Sequence, residues 1–402
     1  VHRGEGTTYR AAPPPPPVTV RAVPRRGHLG SLSLAQILVA EAVLLALAAS
    51  LAAGPVVLLA AGAASAALLF VFFSRRQQRW WLEHRRVARD HRRRRAARID
   101  PRPGPVLAAL RTIAPGLAVR DVTGADGTVG VARDEAGWFS VVALDPAAGP
   151  LPLDALFGLL AGAGQPGLVL ELVTHTVPAP SPDVPAAAPS GASYRQLTET
   201  TGAGPVPAYR ESSVSLRVDA QALAEALLDH TADPEAAETL VAGLARKVVT
   251  GLRRLGLTGR PLDADGLLAL LARSCDVEPQ ALADGAGPDE TWNFWRSARL
   301  VHRTYWLRAW PVSATEIGSL FAWASTAPAA QTSVALVLRA SGAEEVPVRA
   351  FIRLATRPDA DLRALDRVLV EGVRRVGGEL QPLDGEQGPA AYATAPTGGG
   401  AG

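Results

Sequence analysis

LAQILVAEAVLLALAASLAAGPVVLLAAGAASAALLFVFF, residues Leu34 to Phe73, is the stretch on which the reading of this chain turns. Leu34 to Ala53 and Val56 to Phe73 hold one charge between them, Glu41. Each approaches the roughly 20 apolar residues that span a hydrocarbon core at about 1.5 Å per residue. Gly54-Pro55 interrupts the run and leaves almost no loop. The spacing therefore predicts a hairpin of two transmembrane helices within residues 31–74. A signal sequence fits less well, because a second apolar run follows the first at once and the arginines beyond it resist export.

The flanks orient the hairpin. Arg21, Arg25 and Arg26 precede it, and Arg75, Arg76, Arg79, Arg85, Arg86, Arg89, Arg92 to Arg95 and Arg98 follow it. Arginine at both ends predicts both termini on the cytoplasmic side of the cytoplasmic membrane. Trp80 and Trp81 suit the headgroup layer as interfacial anchors. Glu41, about seven residues into the first span, is expensive there. Two readings stay open for it: a neutral or snorkelling acid without a role, or a contact with another membrane subunit.

The chain has 402 residues, enough for one anchor and one or two soluble domains. Its formal net charge of +3 hides segregation, since the basic excess sits beside the apolar hairpin. Such placement points to anionic lipid headgroups rather than to nucleic acid. The single cysteine, Cys275, excludes an internal disulfide and a cysteine-based zinc site and reads as an inert thiol.

Outward from the hairpin, residues 1–30 with Pro13 to Pro17 read as a disordered arm. Residues 75–100 read as an arginine-rich juxtamembrane helix continuing the second span until Pro101, Pro103 and Pro105 stop it. Its Arg92, Arg93, Arg94 and Arg95 are candidate contacts with membrane or with an acidic partner. Residues 105–396 read as a cytoplasmic α/β (α+β) domain around a mixed sheet. A meander is expected over 118–123, 129–133 and 138–144, an inner strand over 167–175, and further strands over 193–199, 210–218, 332–340, 346–355 and 379–383. Two strands are expected within the aromatic-rich 290–311. Helices are expected over 153–161, 220–230, 234–255, 267–275, 314–325 and 359–376, with a surface loop at 177–192 and a frayed glycine-rich tail at the end.

Chemistry is sparse. Gly162-Ala-Gly164-Gln-Pro-Gly167 matches GxGxxG by letter but follows a helix and opens a strand, the reverse of a dinucleotide fingerprint. No P-loop and no nucleophile elbow occurs, and His175, His230 and His302 stand apart without metal-ligand spacing. Asp121, Asp126, Asp134 and Glu135 sit at meander turns, where acids are common turn formers. No catalytic residue, cofactor or metal is expected.

The whole pattern resembles a known family. Ser31-Leu-Ser-Leu-Ala-Gln36, Arg79-Trp-Trp81, Thr128-Val-Gly-Val131 with Trp138-Phe139, Gly251-Leu-Arg-Arg-Leu-Gly256 with Arg260-Pro-Leu262, Glu290-Thr-Trp292, Tyr305 to Pro311, Asp384-Gly-Glu-Gln-Gly-Pro389 and Ala393-Thr-Ala-Pro396 are similar, in that order, to positions of EccE, a membrane component of type VII (ESX) secretion systems. The resemblance implies a non-catalytic structural or assembly subunit of a membrane complex built with EccB, EccC and EccD, where EccC is the ATPase. A membrane-anchored enzyme, such as a transferase on cell-envelope precursors, is the alternative class and predicts a cleft with convergent carboxylates.

Overall fold

The computed structural model describes residues 20–22, 28–29, 32–76, 79–96, 104–146, 151–180, 188–201, 207–219, 234–278, 280, 287–311, 314–340 and 346–400. The expected helix at 220–230, His230, Arg98, Pro101, Pro103 and the Pro13 to Pro17 tract lie outside these residues.

α1 (Leu34–Ser50) and α2 (Pro55–Phe73) run antiparallel, with Gln36 Nε2 donating to Phe72 O at 2.8 Å. Gly54 turns the chain at φ +98°, a conformation open to glycine, and Pro55 opens α2 where its missing N–H is harmless. α2, at 19 residues, is long and apolar enough to cross a membrane, whereas α1 has 17 and is a shorter apolar helix. The expectation of two spans is thus met by one helix. α1 stops at Ser50, whose Oγ turns back onto Leu47 O at 2.7 Å.

The helix expected to lie beside the membrane is not a continuation of α2. Ser74 adopts an extended conformation, Arg75–Arg76 pairs with Arg79–Trp80, and α3 (Trp81–Ala96) starts afresh. The expected disordered arm also contributes structure: β1 (Val20–Ala22) pairs in parallel with residues 346–348.

Among the described residues, the rest of the chain is organised by one 13-stranded sheet. After the short helix α4 (Pro105–Leu110) come the meander β2 (Ala118–Gly124), β3 (Gly127–Asp134) and β4 (Gly137–Leu144), as expected from the turns at 124–127 and 134–137. Then follow α5 (Leu153–Ala163), β5 (Leu168–Pro178), α6 (Pro189–Thr201), β6 (Pro207–Asp219), α7 (Pro234–Arg254), β7 (Gly259–Pro261) and α8 (Ala264–Ser274). The last part comprises β8 (Asp289–Glu290), β9 (Trp295–Arg296), β10 (Val301–Ala309), α9 (Ala314–Ala324), β11 (Gln331–Arg339), β12 (Val346–Thr356), α10 (Leu362–Arg375), β13 (Glu379–Pro382) and α11 (Gln387–Ala393). The strand order is β8-β9-β10-β12-β11-β5-β6-β4-β3-β2, with β13 beside β10 and β7 beside β4. Every pair is antiparallel except β1 with β12, so the domain is α+β.

β5 is an inner strand, as its continuous apolar run implied. Residues 193–199 were expected as a strand and are helical in α6: Pro189 presets the first turn, and Ala192, Gln196, Leu197 and Glu199 favour helix. The aromatic segment 290–311 yields one long strand, β10, and two-residue bridges at β8 and β9.

The two faces of the sheet are chemically unlike. One carries Leu168, Leu170, Leu172, Val214, Leu216, Ile352 and Leu354, and is covered by α5 and α7 over one half and by α9 and α10 over the other. The opposite face is covered by α4, α8 and α11, but its centre holds Glu171, His175, Ser215, Arg217, Ser333 and Arg353, all buried. Lys247, the only lysine, ties the apolar side together by donating from α7 to Ala163 O at the end of α5, 2.8 Å away.

Gly130 in β3 lies so close to the backbone of Asp263 that a Cβ there would sit 2.4 Å from its carbonyl carbon, whereas a Cβ at Gly158 in α5 meets nothing within 4 Å. Gly130→Ala is expected to destabilise the domain by about 1–3 kcal/mol, and Gly158→Ala to be neutral or to stabilise by about 0.5–1 kcal/mol, measured by chemical denaturation.

Candidate functional site

α3 does not stand free as a charged stalk. His84, Val87, His91 and Arg94, spaced three and four apart, share one helical face, and that face rests on the domain that carries the 13-stranded sheet. His84 and His91 place their rings 5.0 and 5.6 Å from that of Trp292. Arg94 donates from Nε and Nη2 to the two oxygens of Glu290 at 2.9 and 3.0 Å, and Nη2 also reaches Gly385 O at 2.6 Å. Gly385, at φ +80°, leaves no room for a side chain between Val87 and Trp292. Arg79 pairs with Glu386 at 2.8 Å. The two-point Arg94–Glu290 fork, partly shielded from water, holds better than an exposed ion pair.

The candidate contact residues are therefore divided. Arg94 is engaged within the chain, while Arg92, Arg93 and Arg95 are exposed, with Arg93 near Asp90 at 3.9 Å and Arg95 near Asp289 at 4.0 Å. Trp80 stacks edge-on against Phe73 with Arg75 over its ring, and Arg85 covers Trp81. Glu41 is exposed on α1, away from the buried positions Gln36, Val43 and Ser50.

Sequence reasoning placed Glu290 in a family motif but missed its role, which is to bridge two elements. Besides Arg94 it accepts from Gly388 N at 3.0 Å, in the first turn of α11. α11 then carries the chain end into the interior. Gln387 Oε1 accepts from Thr304 N at 2.9 Å, and Tyr392 OH donates to Asp134, which also holds Arg217 through both guanidinium ends. Arg217 Nε in turn donates to Thr397 O at 2.7 Å.

The expected frayed tail is thus a correction: residues 394–399 pack against the polar face of the sheet, and Ala395, Thr394 and Thr397 are fully buried. Glu171 Oε2 accepts from Thr397 N, Gly398 N, Gly399 N and Ser215 Oγ at 2.7–3.0 Å. Gly398, Gly399 and Gly400 have φ of +77°, +83° and +64°. Successive amides in such a conformation form a nest for an anion. Burial pushes the Glu171 carboxyl up to about 7, with the Gly399, Ser215, Gly398 and Thr397 donors pulling the other way.

His175 and His302, read as isolated, lie on the same buried face. His175 Nδ1 meets Ser333 Oγ at 2.7 Å, and His302 Nε2 meets Ser297 Oγ at 2.9 Å. Burial, and then the Arg353 charge, lowers His175 to about 3 and His302 well below its ordinary value. Cys275 is buried and pushed up to about 11 by desolvation, in keeping with an inert thiol. Of the meander acids, Asp121 accepts from Ala264 N at 2.7 Å and Asp134 is buried on Arg217. Among the described residues no three His, Cys, Asp or Glu side chains are placed to hold a metal.

Folded Glu171 titrates near 7 against an ordinary 4.5. Its contribution to stability is present below about 4.5 and lost as pH rises through about 7, by at most about 3 kcal/mol. His175 acts oppositely, its contribution present above 6.5 and lost as pH falls through about 3. Subtracting the unfolding free energy of Glu171→Gln from that of the unsubstituted chain isolates the first effect. That difference is expected to decline between pH 4.5 and 7, and a flat difference would refute the assignment.

Glu290→Ala leaves every arginine in place but removes the acceptor of Arg94. Trypsin cleavage within Arg92 to Arg95 is expected to speed up about tenfold or more, and an unchanged rate would show α3 held by other contacts.

Residues 206–307, about a quarter of the chain, match the EccE family model, described as "type VII ESX secretion system translocon, EccE". The matched stretch runs from the start of β6 into β10 and includes Glu290 and Trp292. No curated protein matches the chain. From β6 to β10 the chain carries the sequence pattern of the EccE family, which upholds the resemblance drawn from its motifs.

Proposed function

We propose that this chain is a non-catalytic structural and assembly subunit of a type VII secretion membrane complex, supporting protein export across the cytoplasmic membrane. The observation that carries the reading is the EccE match over residues 206–307, because Glu290, which clamps the juxtamembrane helix, lies inside it. A translocon subunit needs its membrane segment held against its soluble domain, and the Arg94–Glu290 fork does that.

On this reading the hairpin spans the cytoplasmic membrane twice with both termini in the cytoplasm. The partners are EccB- and EccD-type membrane subunits and the EccC-type ATPase. The exposed Arg92, Arg93 and Arg95 meet anionic headgroups or an acidic partner surface. Glu41 supports a neighbouring membrane subunit, since a carboxylate turned away from its own hairpin seam is costly in lipid unless another helix supplies a donor.

A mild-detergent pulldown with mass spectrometry tests this reading: EccB-, EccC- and EccD-type proteins are expected in the eluate, and recovery as a free monomer would sink it. Arg92→Glu with Arg93→Glu, and separately Glu41→Leu, are expected to lower partner recovery severalfold while leaving the unfolding of the soluble domain unchanged.

A further inference from the structure

α3 carries two opposed faces. His84, Val87, His91 and Arg94 lie on the docked one. Arg85, Arg86, Arg89, Arg92 and Arg93 are all exposed, and at about 100° per residue they fan over about 120° of the helix. The middle of that arc lies about 180° from the middle of the docked face. One side of α3 is thus occupied by the sheet domain, and the other presents arginine.

Within the arc Arg89 stands four residues from Arg85 and Arg93 and three from Arg86 and Arg92. Like charges at those spacings weaken a helix. Asp90 reaches Arg93 at 3.9 Å, but both side chains are more than half exposed, so this pair offsets little of the repulsion. An anionic surface laid along the arc relieves all of it.

The near end of the arc is fixed in place. Trp81 and Leu82, both half-buried, continue it toward the start of α3, where the Arg85 guanidinium lies 4.4 Å over the Trp81 ring. Trp81 N donates to Ser74 O at 2.9 Å, and Trp80 meets Phe73, the last residue of α2, edge-on at 6.2 Å. The start of α3 is therefore one hydrogen bond away from the residue that follows α2.

We propose that α3 lies flat on the bilayer, with Trp81 and Leu82 in the headgroup layer and Arg85, Arg86, Arg89, Arg92 and Arg93 on anionic phospholipid headgroups. The proposal rests on the membrane reading given above and assigns the arginine face to lipid rather than to an acidic protein. Lipid is favoured because α2 brings it: a bilayer that takes α2 begins beside Trp81, and arginines next to a span are drawn to anionic headgroups. An upright α3 would carry Arg92 and Arg93 more than about 15 Å from Trp81, about two Debye lengths at physiological salt. Only the flat pose brings the whole arc within reach of the headgroups.

The test uses the full-length chain in nanodiscs of phosphatidylcholine, alone or mixed with phosphatidylglycerol, at equal ionic strength. Ala96, exposed on the arginine side at the far end of α3, is replaced by cysteine and spin-labelled, while Cys275 is buried and out of the label's reach. Nickel-chelating lipids, at the same low proportion in both discs, report how near the label comes to the headgroups. Relaxation of the label is expected to be severalfold stronger in the anionic discs, and Arg92→Gln with Arg93→Gln is expected to reduce that difference sharply. Equal relaxation in the two discs, or a difference unchanged by the double substitution, overturns the lipid contact. A chain that fails to enter the discs overturns the contact and the membrane reading together. A chain that enters, shows no lipid preference and still loses partner recovery on Arg92→Glu with Arg93→Glu has its arginine face on an acidic protein, which overturns the lipid contact alone.

Discussion

Burying Glu171 in the centre of the sheet obliges the end of the chain to fold back over it. A carboxylate cut off from water needs donors, and the strands beside β5 supply one side-chain donor to Oε2, the Ser215 hydroxyl. Backbone amides supply the rest, and presenting three in a row takes the left-handed turn that glycine enters freely. The position of α11, the burial of Tyr392 on Asp134 and the hold of Arg217 on Thr397 all follow from that return.

Glu290 extends the same arrangement to α3. One oxygen accepts both Arg94 of α3 and the amide of Gly388 in α11, so α3 and the chain end share a single acceptor. Contacts therefore run without a break from α2 through α3 and Glu290 into α11 and on to Glu171. Because each contact is wholly or partly shielded from solvent, the series resists salt in a way that exposed arginine pairs do not.

The meander, the inner strand β5, the capped helix α8 and the pairing of β11 with β12 were legible because each is written in local pattern: period-two apolar runs, glycine turns, Asp263 as an N-cap. The chain end was misread because a run of glycines is ambiguous until its partner is known, and Glu171 lies more than 220 residues away. Arg94 among its neighbours is a similar case. Four consecutive arginines look equivalent in sequence, and only the register of α3 against Glu290 selects one of them. The polar face escaped notice because Glu171 and His175 in β5, Ser333 in β11 and Arg353 in β12 are scattered through three strands, and only strand pairing lines them up.

The pairing of β1 with β12 bears on a question of parity. β1 precedes the apolar hairpin and α3 follows it, yet both rest on the same soluble body, one on β12 and the other on Glu290. A segment tied at both ends to one body on one side of a bilayer can cross that bilayer only an even number of times. One crossing by α2 alone would draw either β1 or α3 away from the domain, whatever the count of flanking arginines. The shorter α1 must therefore cross together with α2, or neither helix crosses at all.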